Sequence, residues 1–144
     1  MQKKKTTITN KLLGQLKNEQ SINRFLKENE PDFVSQDIVS FFEERMMKYK
    51  LDKSEIILRA DIDRSYGYQI LRGARYASRD NYLRIAIGMG LDLTDTQLLL
   101  NITQTSPLYV RVKRDAAIIY CIEKHYTLSA AQELLYHLKL KILE

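Results

Sequence analysis

The residues best suited to chemistry cluster between positions 52 and 84. Arg64, Ser65, Tyr66, Tyr68 and Gln69 stand together just after Asp63. An arginine can donate two parallel hydrogen bonds to guanine, and a glutamine can make a two-point pair with adenine. From 64 to 84 there are five arginines (Arg64, Arg72, Arg75, Arg79 and Arg84) against one acid, Asp80. Such a cluster has the pattern of a phosphate-contacting surface; the plainer reading is a solvated face. The whole chain is only mildly basic, with 23 basic and 18 acidic side chains. A nucleic-acid partner is therefore pointed to by the local cluster and not by net charge.

Other chemistry finds little footing. Cys121 is the single cysteine, which excludes an internal disulfide and a multi-cysteine zinc site. It lies in an apolar run with no histidine at a useful spacing, so it reads as a core thiol and not as a nucleophile. His125 and His137 have no ligand cluster beside them. No paired carboxylates recur in an acid/base pattern, and neither G-x-x-x-x-G-K-[ST] nor G-x-G-x-x-G occurs. The expectation is a non-enzyme with no cofactor and no metal. No apolar run approaches membrane-span length, and the basic N-terminus lacks the apolar core of a signal peptide. This reads as a protein of the cytoplasm with no membrane partner.

The elements that must position the cluster are short helices. Apolar residues recur at helical spacing, strand-like alternation is scarce, and turn residues arrive every 10 to 15 positions. Residues 1–8 read as frayed. Helices are predicted over 9–18 and 20–28, with Pro31 ending that region, and then from Ser35 to about Tyr49. Asp52-Lys53-Ser54-Glu55 has the form of a capping box opening a helix to about Ala60. Asp63 caps a second helix, 64–72, and Gly73 stands where a left-handed residue ends a helix. Ser78 caps 79–89, before Gly90. Thr94-x-x-Gln97 and Ser129-x-x-Gln132 read as two further boxes, opening helices to about Ile102 and His137. Between them, the apolar run Ala116–Ile122 reads as a central buried helix. Residues 138–144 have no assignment. No internal repeat and no low-complexity linker is apparent.

Two capped short helices joined by a three- or four-residue turn are what a helix-turn-helix requires. Ile56, Ile57, Ala60, Ile62 and Ile70 supply the inward face, with Leu71 beside them, and Arg64, Ser65, Tyr66, Tyr68 and Gln69 are left to face a groove. At this point residues 38–100 resemble the Cro/CI-type (XRE, lambda-repressor-like) regulators. The resemblance rests on Leu51-Asp52-Lys53, Ile56-Ile57, Asp61-Ile62-Asp63-Arg64-Ser65, Ile70-x-Arg72-Gly73 and Leu83-x-Ile85-Ala86-x-x-Met89-Gly90-Leu91. It implies a bundle of five short helices, mostly dimeric on operator DNA. Carried over by position, it implies that Lys53 touches phosphate at the start of the first helix. Arg64, Ser65 and Gln69 would read bases, with Tyr66 and Tyr68 beside them, and Arg72 and Arg75 would contact the backbone. Residues 106–144 look like a C-terminal helical extension of some bacterial members. Two departures stand out. Leu71 replaces a frequent Glu, and Gly67 replaces a buried aliphatic residue, at about 1 kcal/mol against Ala and with an implied hole. Tyr66 and Tyr68 are open to two readings, groove contact or folding over that hole, while Tyr76 reads mainly as packing.

The expected architecture is thus all-α: an N-terminal arm (1–34), a helix-turn-helix domain (35–104) and a C-terminal extension (105–144) packed on it or forming a dimer seam. The expected function is sequence-specific binding of double-stranded DNA in transcription regulation, as a homodimer, with 64–72 in the major groove. The competing expectation is a protein-interaction module, antitoxin-like or a signalling adaptor, with a partner on the C-terminal helices. It draws on the balanced charge of residues 51–100, the glycine in the second helix and the apolar extension.

Overall fold

A computed structural model of the chain describes residues 2–18, 21–29 and 37–144. Every regular element among these residues is helical, and none is a strand. No helix among them is long and apolar enough to cross a membrane. The chain divides into two units, 1–35 and 36–144. The first holds α1 (Gln2–Asn18) and α2 (Ile22–Glu28). Residues 2–8, expected to fray, are helical. Ser21 caps α2 by accepting from the Arg24 N–H, and Phe25 is its buried residue. The expected stop at Pro31 and start at Ser35 lie outside the described residues.

The second unit contains α3 (Ile38–Tyr49), α4 (Lys53–Ala60), α5 (Arg64–Leu71), α6 (Arg79–Met89), α7 (Leu93–Ile102), α8 (Lys113–Glu123) and α9 (Leu128–His137). Four of its joints share one local solution: a left-handed residue, an apolar residue, then an N-cap. These are Lys50-Leu51-Asp52, Asp61-Ile62-Asp63, Gly90-Leu91-Asp92 and His125-Tyr126-Thr127, with first-position φ of 54°, 51°, 72° and 56°. In each, the middle N–H reaches back to a carbonyl of the preceding helix, as Leu51 does to Met46 and Tyr126 to Cys121, both at 2.9 Å. This closes the helix end that would otherwise leave carbonyls unpaired. The cap then accepts from the third helical residue, as in Asp52 from Glu55 at 2.8 Å and Asp63 from Tyr66 at 3.0 Å.

The same rule corrects two expected caps. Asp92 and Thr127, not Thr94 and Ser129, start α7 and α9. A cap must follow directly on the left-handed joint, and those two residues do. Gln97 and Gln132 are then free of capping and act elsewhere. Gln97 exchanges two hydrogen bonds with the backbone of Leu108, at 2.9 and 2.7 Å. Gln132 does the same with Leu143, at 2.7 and 2.8 Å. Each glutamine holds a non-helical segment by its backbone, and each segment buries its leucine.

That parallel extends through the C-terminal half. Against expectation, there is an internal repeat: residues 78–109 and 113–144 correspond to one another at a spacing of 35 positions. Arg79 donates to the carbonyls of Ser106 and Pro107, and Arg114 to those of Lys141 and Ile142. Each arginine also grips the aspartate of the other repeat with two bonds. Arg79 meets Asp115 at 3.1 and 2.9 Å, and Arg114 meets Asp80 at 3.0 and 2.8 Å. Asp115 in turn accepts the Tyr109 N–H and Asp80 the Glu144 N–H. The contact is reciprocal, as across a two-fold axis, but it lies within one chain.

The core of this unit draws on every helix from α3 to α9. Phe41, Ile56, Ile70, Leu83, Leu99, Ile118 and Leu135 are all buried in one cluster. The run Ala116–Ile122 is helical as expected but not central. Ile118, Cys121 and Ile122 enter the core while Tyr120 on the opposite side is about half exposed. Burial pushes the Cys121 thiol pKa up, which suits an inert core residue.

Candidate nucleic-acid interface

The α4–α5 pair packs closely at Gly67. A Cβ on Gly67 would lie 2.6 Å from Cγ1 of Ile57 and within 3.2 Å of two more of its carbons. No hole exists at Gly67; the β-branched Ile57 fills it, and the glycine allows α5 to lie that close. Tyr66 and Tyr68 therefore do not plug a void. Ile70 and Leu71 complete the buried side of α5. The aliphatic Leu71, a departure from the resembled pattern, is fully inside.

The outward side of α5 carries the residues named from sequence. Ser65, Gln69 and Arg72 follow one another at i, i+4 and i+7, one face of a helix. Ser65 and Arg72 are exposed and Gln69 is half-buried. Arg64 is exposed at the first helical position and its guanidinium lies 5.7 Å from the Tyr68 ring centre. Arg75, in the loop after α5, lies 5.1 Å from the Tyr66 ring. Tyr66 is half-buried, and its hydroxyl oxygen accepts a 3.5 Å bond from Asn81 of α6. Both tyrosines thus orient an arginine by cation–π contact. Lys53 is half-buried at the first position of α4. Its neighbour Ser54 shares with Arg64 a hollow of about 270 Å³ between the two helices.

The structure separates the five arginines. Arg64, Arg72 and Arg75 are exposed and make no ion pair among the described residues. Arg79 is committed to Asp115 and two carbonyls. Arg84 donates to the carbonyl of Ala60 at 3.0 Å and to that of Asp61, closing the end of α4. Those two leave the expected phosphate footprint, because their donors are already used inside the fold. Tyr76 moves the other way. Expected to pack, it is 85% exposed in the loop between α5 and α6.

The larger hollow of this unit, about 690 Å³, lies at the C-terminal ends of α4, α6 and α8, among Leu58, Gly90 and His125. Cys121 and His125 are among its lining, whereas Lys53, Arg64, Ser65, Tyr66, Tyr68, Gln69, Arg72 and Arg75 are not. Among the described residues, no group of three or more His, Cys, Asp and Glu is placed to hold a metal ion. Compared with protein-family models, curated proteins and solved structures, the chain matches none.

Proposed function

We propose that this chain is a sequence-specific DNA-binding regulator of transcription, built on a Cro/CI-like helix-turn-helix core with α5 in the major groove. The observation that carries this reading is the outward stripe of α5. It combines exposed Arg64, Ser65 and Arg72 with Gln69, on a helix held against α4 by the Gly67–Ile57 contact. Arg64, Ser65 and Gln69 read base edges, and Lys53, Arg72 and Arg75 hold phosphates. A single short helix spans few base pairs, so two copies on a two-fold site complete the reading. Two features that motivated the interaction-module alternative have packing explanations. Gly67 accommodates Ile57, and the apolar extension is spent on the shared core.

The test is fluorescence anisotropy with a labelled pool of random duplexes, titrated at low and then moderate salt. Salt-dependent binding is expected, followed by selection of a preferred sequence. Against that sequence, Arg64→Ala and Gln69→Ala should each lose about 1–3 kcal/mol. Unchanged affinity in both variants sinks the assigned readout. No binding at low salt sinks the reading as a whole.

A further inference from the structure

The repeat places a second set of free cations beside the first. Arg114 reaches from the start of α8 to Asp80 at the start of α6, while Arg79 reaches back to Asp115. The N-terminal ends of α6 and α8 therefore lie side by side. The segments leading into them open on the same end of this unit. One is the loop 72–78, with Arg72, Arg75 and the exposed Tyr76, and Asn81 ties this end to Tyr66 of α5. The other is 109–113, with Arg111 and Lys113, both exposed. Neither of these two makes an ion pair among the described residues. The nearby carboxylates Asp80 and Asp115 are each gripped by two guanidinium nitrogens, and Glu144 is paired with Lys141 at 3.8 Å.

We infer that the segment 109–113 is a second phosphate-contacting element, through which Arg111 and Lys113 extend the α5 surface along a nucleic-acid backbone. This rests on the DNA-binding reading and adds to it a role for the C-terminal repeat. The reciprocal Arg–Asp contact acts as the positioning device, because it fixes the second loop beside the first. The ligand chemistry is the phosphodiester, with no base preference contributed by this loop.

The test compares the salt dependence of duplex binding for the whole chain and for the double variant Arg111→Ala/Lys113→Ala, using the labelled random duplex. Lys124→Ala serves as the control, since it removes a charge about 16 Å away at the far end of α8. Each phosphate contact contributes roughly 0.9 to the slope of log K against log salt. The double variant should therefore lose about 1.8 from that slope, with Lys124→Ala unchanged. Arg111→Gln/Lys113→Gln, which keeps polar side chains of similar reach and removes only charge, should repeat the loss. If the wild type binds and both double variants keep its slope, the inference is overturned while the α5 reading stands. If the wild type binds no duplex at low salt, both are overturned.

Discussion

At the residue scale, Gly67 shows how a side chain's absence does structural work. Helix propensity alone favours alanine there by about 1 kcal/mol. Against that, three carbons of Ile57 stand within 3.2 Å of where the Cβ would be, and a β-branched side chain has little room to turn away. Overpacking of this kind costs about 1–3 kcal/mol, so the clash wins. Gly67→Ala should lower the urea midpoint, and Ile57→Ala in the same chain should recover part of that specific loss. Additive effects of the two substitutions would refute the contact as the cause. In the sequence Gly67 reads as a departure that leaves a hole, because a missing side chain does not reveal whether a neighbour fills the space. The five arginines form one group along the chain, and the fold divides them. Arg64, Arg72 and Arg75 remain available, whereas Arg79 and Arg84 are engaged by partners 20 or more positions away. Spacing along the chain cannot separate an arginine that faces water from one that holds two helices together.

At the element scale, what was legible was local. Asp52, Asp63 and Ser78 cap as their positions foretold, and Gly73 and Gly90 take the left-handed conformation. What was not legible depends on contact at a distance. Asp61 and His125 adopt the conformation usually left to glycine, within joints whose apolar middle residue and reaching-back N–H stabilise it. The repeat is hard to see in the sequence because few of its positions keep the same residue. Arg79/Arg114, Asp80/Asp115, Gln97/Gln132 and Leu108/Leu143 are among those kept, and each of these pairs is recognisable once its bonds are seen. These clamps make definite predictions. Asp115 is nearly buried, with its side chain 8% exposed beside Arg79 at 23%. Asp115→Ala leaves a half-desolvated guanidinium and an unpaired Tyr109 N–H, at about 3–5 kcal/mol, measured by equilibrium urea unfolding. Asp80 gives the pH signature. Burial alone would raise its carboxyl, but Arg114 and the Glu144 N–H outweigh this and hold its pKa below the ordinary 3.8. A depressed folded-state value means that its stabilisation is present above the ordinary value and is lost as pH falls through the folded one. The urea midpoint of the wild type should drop below about pH 4, near the usual aspartate range. Asp80→Asn should be less stable at pH 7 and flatter through that acid window. An equally steep acid loss in Asp80→Asn would remove Asp80 from the account.

At the scale of the whole molecule, the question is whether the C-terminal repeat is an attachment or part of the fold. Residues 36–144 cluster as one unit, and their core mixes side chains from α3 through α9 without a seam between 104 and 105. α6 packs on α9 as α8 packs on α7, so each hairpin covers the other. Leu108 and Leu143, buried by the two glutamine clamps, close the ends of that arrangement. A chain cut after Gln104 would lose α8, α9 and both clamped leucines, and Arg79 would lose Ser106, Pro107 and Asp115 together. Uncovering even three or four aliphatic side chains costs roughly 1.5–3 kcal/mol apiece. A whole domain of this kind is stable by only about 5–15 kcal/mol. The losses are therefore of the same size as the total. The truncated chain should show no cooperative thermal transition by circular dichroism, whereas the full chain should melt residues 36–144 in one step. A sharp transition in the truncated chain would mean that α3–α7 hold themselves together. In that case the arginine–aspartate exchange would position the second cationic loop without supporting the first.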